Sequence, residues 1–296
     1  MPESDRIGPY RVVPFPLERN ATLDSLRWAK RRLQIPVLLE IDVTSAREAI
    51  REFRKRTGRG LSFTAWVVKC VARAAAEHPR VHAARRGRRG LIMFDDVDVA
   101  VLVERAIGED SDLETLPMPV VVRKANEKGP DQIHEEIRSA QNAELAPGSS
   151  SIERAAPPWL QSIFFRLPRW VRDAVFWRWL LRNPMRIKKT MGTVVVSSAG
   201  MATPGVLSWG VPLSIHPLAV GVGGITQRDS VGGKADVLAL TVVFDHAVID
   251  GAPFGRFVHR LHELLTRAEG LVERHPAIDP SGADGSGGHS SPGDGH

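Results

Sequence analysis

Residues 241–251 read TVVFDHAVIDG, an apolar, β-branched run that stops at Asp245 and His246, with Asp250-Gly251 four residues after the histidine. Valine, threonine and phenylalanine fit a pleated, buried backbone, so the run reads as a strand. A histidine at a strand end can project into a cleft, and a neutral imidazole near pH 7 is a natural general base for a hydroxyl or thiol proton. Gly251 allows a sharp turn, and Asp250 stands where a loop folds back towards His246. The same positions would suit a histidine that only closes a strand. Three fixed residues leave both readings open, and the surroundings must decide.

Just upstream, GTVVVSSAG, LAVGVGGITQR and ADVLALTVVF are three strand-like runs, with Val231-Gly232-Gly233-Lys234 as the turn before the last. Downstream, APFGRFVHRLHELLTRAEGLVER is periodic, with Phe254, Phe257, Leu261, Leu264 and Leu265 on one side of a helix. Towards the N-terminus, residues 1–20 read as extended, with Pro14 and Pro16 opposing a helix. Residues 21–34 form a helix, 36–43 a strand and 44–58 a helix with Thr44 or Ser45 as N-cap and Gly58 as stop. Residues 62–79 read as a buried helix, 91–104 and 116–124 as strands, and 131–146 as an amphipathic helix ended by Pro147-Gly148. Strands and helices do not alternate strictly, which favours α+β over a doubly wound parallel sheet.

The 296 residues are 43% hydrophobic and 25% charged, the composition of an ordinary globular protein. A net charge of +6 is modest for this length; it does not mark a nucleic-acid binder and suits anionic partners such as the phosphates of coenzyme A, acidic protein faces or anionic lipid. The lone cysteine, Cys70, excludes an internal disulfide and lies in an apolar helix as a structural thiol. The N-terminus has no signal-peptide pattern and no run approaches a membrane span, so a cytoplasmic location is expected. Residues 279–296 are Gly, Ser, Pro, Asp and His and are expected to be a disordered tail to a domain over 1–278.

Together these segments resemble the catalytic domain of the acyltransferase (E2) components of 2-oxo acid dehydrogenase complexes. FDHAVIDG is similar to that family's DHRxxDG signature, MGTVVVSSAGM to its GGTFTISNLGM strand, and HPLAVGVGGITQR to its PPEVAILGVGRI strand. PMPVVVRKANEKGPDQIHEEIRSA, PVLLEIDVTSAREAIREFRKRTG and LSFTAWVVKCVARAAAEHPRVHA resemble further family segments, in order, over about residues 19 to 270. The resemblance implies a chloramphenicol acetyltransferase-like two-layer sandwich, a mixed sheet with helices on one face. It places the general base on His246, which takes the proton from the thiol of coenzyme A or dihydrolipoamide. It places the oxyanion donor on Ser197, the first serine of VVVSSAG, rather than on Ser198, which stands where the family often has Asn; such a donor acts where charge grows on the carbonyl oxygen in the transition state. Asp250 is then a structural aspartate with Gly251 beside it, and Arg19 is the nearest candidate for its ion-pair partner. In the family the two residues meet between subunits, which implies a homotrimer. Coenzyme A enters as substrate, and no metal is implied.

Three departures stand out. Ala247 replaces the family arginine after the histidine. No lipoyl-carrying segment is expected in the chain (Lys234 reads as a solvated hairpin residue), so either a lipoyl-bearing protein acts in trans or another acceptor thiol or hydroxyl takes the acyl group, and the polar tail suggests an isolated trimer rather than a shell. Residues 157–190 add an aromatic-basic helical insertion, within about 150–190, holding four of seven tryptophans and three of ten phenylalanines. It reads as the wall of an acyl pocket, as trimer contact area, or as an interfacial helix at the inner face of the membrane. A non-catalytic trimeric scaffold and a membrane-associated assembly protein remain the alternatives to an enzyme.

Overall fold

In the computed structural model, described for residues 8, 10–12, 15–17, 19–107, 114–142, 163–198, 200, 203–230 and 233–271, the chain forms a six-stranded mixed sheet with helices packed on one face. The expected tail 279–296, the helix stop at Pro147-Gly148, the first part of the insertion with Trp159, the turn residues Val231 and Gly232, and much of the N-terminal stretch lie outside the described residues.

The elements run α1 (Arg19–Ala29), β1 (Gln34–Asp42), α2 (Thr44–Thr57), α3 (Phe63–Glu77), a small ribbon of β2 (Ala84–Arg86) and β3 (Gly90–Ile92), β4 (Val99–Ile107), β5 (Glu114–Val122) and α4 (Pro130–Asn142). After the insertion come β6 (Val194–Ser198), β7 (Leu218–Ser230), β8 (Gly233–Asp245) and α8 (Gly251–Thr266). Strand order is β1-β8-β7-β6-β4-β5, parallel at β4/β6 and β6/β7 and antiparallel elsewhere. This is the α+β mixed sheet that the residue pattern implied.

Alternation along each strand sorts its side chains between two faces. Val194, Val196, Val220, Leu240 and Val242 join α3 and α8 in the main core, where Trp66, Phe257 and Leu261 are fully buried. Their neighbours Val195, Ala219 and Val243 point the other way, into a smaller cluster with Ala100. Over that second face runs the segment 203–217. At Gly223 of β7 an added Cβ would collide with the carbonyl oxygen of Ser208, so only glycine lets the two backbones approach. A register shift between Val222 and Ile225 marks a bulge there, and Gly224 N–H donates to Ser208 O at 3.0 Å.

Some local expectations need correction. The run 91–104 is not one strand: Gly90–Ile92 belongs to the ribbon, and β4 begins only at Val99. Asp98 breaks the run, because its carboxylate accepts from Lys124 N at 2.9 Å and pairs with Lys188 and Arg123. Helix α2 is not capped by Thr44 or Ser45; Val43 is its N-cap, and the Thr44 backbone and hydroxyl both donate to Asp42 Oδ1. Gly58 does stop that helix, with φ 69° and its N–H on Arg54 O.

Candidate active site

Strand β8 ends at Asp245, and the chain then turns into α8 through 246–250. Asp245 holds that turn. Its Oδ1 accepts from Ala247 N at 3.0 Å, and its backbone oxygen accepts from Val248 N and Ile249 N. The carboxylate is buried, and its other oxygen meets the Arg32 guanidinium at 2.8 Å. His246, next in line, donates its backbone N–H to Leu33 O at 2.8 Å, and its ring lies 5.9 Å from that of Phe244. The His246 side chain stays 43% exposed, with Nδ1 at 3.6 Å from Asp250 Oδ1. Backbone and turn are therefore fixed while the imidazole stays open to an incoming group. Asp250 is 75% exposed and precedes α8 as its N-cap residue, followed by Gly251. Arg19 opens α1 and is half-buried.

The Arg32–Asp245 pair was not readable in the sequence. The residue that carries a buried ion pair at this turn is Asp245, beside the histidine. Arg32 is 213 positions away and in no motif, so only the fold could join them.

Ser197 and Ser198 end β6 and, being consecutive, face opposite sides of the sheet. Ser198 lies on the helix side, and its Oγ accepts from Thr64 Oγ1 at 3.3 Å. Ser197 lies on the other side, in register with Gly221 of β7, which is in register with Thr241 of β8. Thr241 is five residues before His246, so Ser197 and His246 are separated by about 16 Å along the strand direction and by two strand spacings across it. Within one chain they do not converge on one reacting group.

The described insertion begins with helical residues 163–166 and continues as α5 (Arg169–Arg172), a π-helical turn (Asp173–Trp177), α6 (Arg178–Leu181) and α7 (Pro184–Met191). It packs on α1 through a cluster of Ala29, Trp177, Leu180, Met191 and Ile215. Arg172 pairs with Asp24 at 2.7 Å, both buried, and the Trp28 indole donates to Asp173 Oδ1 at 3.2 Å. At its other end Lys188 meets Asp98 at 3.0 Å. Burial works to raise the Asp98 carboxyl, but hydrogen bonds from Lys124 N and the Lys188 and Arg123 side chains outweigh it and hold it below the usual range. Thus anchored, the insertion walls a cavity of about 220 Å³ beside the His246 turn, with Leu181 and Ile187 on one side and Asp245 and Val248 on the other. His82 lines it too, fully buried, with neither ring nitrogen bonded among the described residues.

Cys70 is buried within α3, and burial pushes its thiol well up, as suits a structural thiol. Lys234 is exposed in the β7–β8 hairpin opposite Asp229. Among the described residues no cluster of His, Cys, Asp or Glu could hold a metal.

Residues 8–147 match the family model of the 2-oxoacid dehydrogenases acyltransferase catalytic domain. Over that stretch, just under half of its length, the chain is similar to that acyltransferase family. The lipoamide acyltransferase component of the branched-chain alpha-keto acid dehydrogenase complex of Bacillus subtilis is 24% identical over 266 residues, covering 86% of this chain and 52% of the relative. The dihydrolipoyllysine-residue acetyltransferase component of the pyruvate dehydrogenase complex of Acholeplasma laidlawii is 38% identical over 85 residues, 27% of this chain and 15% of that one. The chain thus spans about half the length of one curated relative and much less of the other. The structure of the Azotobacter vinelandii dihydrolipoamide acetyltransferase, whose mechanism was investigated at a serine, a histidine and an asparagine, superposes with a TM-score of 0.61 at 18% identity, over 92% of this chain and 98% of that one. The likeness in fold reaches beyond residues 8–147, over 92% of the chain.

Proposed function

We propose that this chain is an acyltransferase that moves an acyl group between the thioester of coenzyme A and an acceptor thiol, with each site built by two copies of the chain. His246 of one copy removes the thiol proton, and the thiolate attacks the thioester carbonyl. The tetrahedral intermediate carries its negative charge on oxygen, and Ser197 of the neighbouring copy donates to it. Collapse expels the other sulfur as thiolate, which takes back the proton held by His246. The acceptor is a dihydrolipoyl group.

The observation that carries this reading is the open imidazole of His246 on a backbone held by Asp245, Arg32 and Leu33. In the A. vinelandii relative the histidine and asparagine stand four residues apart, as do His246 and Asp250. Ser197 fits the donor role better than Ser198, which lies on the helix side of the sheet beside Thr64. The separation of Ser197 from His246 within one chain supports a site between copies, and a homotrimer is the assembly proposed. Apolar side chains left exposed by the 203–217 segment, Val206, Val211 and Leu213, with Leu38 of β1, suit the contact between them.

The test is transfer between acetyl-CoA and free dihydrolipoamide. His246→Ala is expected to lower turnover by at least about two orders of magnitude with the fold intact, the usual scale for a lost general base. Full turnover in that variant would reject the reading and favour a scaffold.

A further inference from the structure

The described part of the insertion, residues 163–191, carries eight basic residues and a single acid, Asp173. That acid is already engaged, by the Trp28 indole and by Arg169 at 3.6 Å. A segment this basic beside exposed aromatics points to an anionic partner.

The two faces of the helix through α5, the π-helical turn and α6 differ sharply. Inward, Arg172, Trp177 and Leu180 are buried against α1. Outward, Trp170 is 74% exposed, Val175 65% and Trp179 48%. Arg178 and Arg182 are exposed between and beyond them, and neither has an ion pair among the described residues.

The π-helical turn produces this division. At about 100° per residue, an uninterrupted α-helix would set Trp170 and Trp179 on opposite sides, nine residues being about two and a half turns. The wider turn at Asp173–Trp177, with about 4.4 residues per turn, takes up roughly a quarter of a revolution and brings the two indoles to about 90° of each other, within one outward half of the helix. Trp177 and Leu180 then remain on the buried side together. The residues that would fit a purely packing role and those that would not are thus segregated on one short helix.

We propose that this outward face docks on an anionic lipid surface, with Trp170, Val175 and Trp179 entering the headgroup boundary and Arg178 and Arg182 meeting lipid phosphates. Tryptophan settles at that boundary because its ring is apolar and its N–H polar, and arginine binds phosphate while its stem covers apolar surface. No helix among the described residues is long and apolar enough to cross a membrane. The docking is therefore lateral, and the insertion's own anchors to Asp24 and Asp98 hold the rest of the chain beside the surface.

The full chain is sedimented with vesicles of phosphatidylcholine alone or with about 30% phosphatidylserine, alongside Trp170→Ser/Trp179→Ser and Arg178→Glu/Arg182→Glu, with circular dichroism as the folding control. Expected are binding to the serine-lipid vesicles alone, a loss of at least about tenfold in either variant, and weakening by added salt. Binding by the wild type that both variants keep would overturn the proposal, as would no binding of the wild type to anionic vesicles. A drop in oligomer mass in Trp170→Ser/Trp179→Ser, with vesicle binding unchanged, would overturn it in favour of a second copy of the chain on this face.

Discussion

Arg32 Nη1 lies 2.8 Å from Asp245 Oδ2 and ties the end of β8 to the chain just after α1, one residue before His246. The other oxygen of the same carboxylate accepts from Ala247 N, so one side chain fixes the turn on both sides of the imidazole. Arg32→Met leaves a buried carboxylate without its counter-charge. It is expected to cost about 2–4 kcal/mol of stability, since stripping one partner from a buried pair is worse than never having built it. Arg32 and Asp245 are positioning residues. The variant should accordingly lose kcat while KM for acetyl-CoA changes little, and Arg32→Lys should recover part of the loss. Urea unfolding and steady-state kinetics read the two effects separately.

His246 and Ser197 belong to different sites of one copy if the site lies between copies. Mixing His246→Ala with Ser197→Ala and allowing subunits to exchange should then restore activity, because some interfaces pair an intact histidine with an intact serine. Each variant alone is expected to fall by about 100-fold, the scale of a missing general base or oxyanion donor. Recovery to a sizeable fraction of wild-type turnover supports the shared site, and a mixture no better than its components would exclude it.

Ser198→Ala supplies the contrast. Its hydroxyl accepts from Thr64 on the helix side of the sheet, so removing it leaves one half-buried donor unsatisfied. A stability loss of about 1 kcal/mol is expected, with turnover within about twofold of wild type. A large fall in kcat with unchanged stability would instead move the oxyanion role from Ser197 to Ser198.

The strand and helix pattern around His246 was legible because it is local: alternation set β8, and the spacing of Phe254, Phe257 and Leu261 set α8. Which of two adjacent serines lies away from the helices was not legible, since alternation gives two faces without saying which one carries the helices. Long-range charge pairing was not legible at all. Arg32–Asp245 and Asp24–Arg172 join residues 213 and 148 positions apart, and no periodicity connects them. The insertion was visible by composition, yet its division into a packed and an exposed face depends on a π-helical turn that the 3.6-residue period does not reveal.

Two buried histidines give opposite responses to substitution. Burial pushes His216 down to about 4; its Nε2–H donates to Met191 O at 2.8 Å, which works the other way, and its Nδ1 accepts from the Ser214 hydroxyl at 2.6 Å. Burial also pushes His82 down to about 4, aided by the Lys188 charge, with Asp98 opposing, but its ring has no hydrogen-bond partner among the described residues. Both groups bind a proton more readily unfolded, where the histidine value is about 6.5, than folded. Their neutral forms therefore lend stability fully above about pH 6.5, and it is lost as pH falls towards about 4. His82→Phe should remove that part of the acid sensitivity without breaking a bond, so its midpoint relative to wild type should rise between pH 7.5 and pH 5. His216→Leu removes the same titration but strands the Met191 carbonyl and the Ser214 hydroxyl, costing about 2–3 kcal/mol at pH 7.5. Thermal unfolding of the three proteins at the two pH values separates the effects, and parallel pH dependence in all three would show that neither histidine stays neutral in the fold.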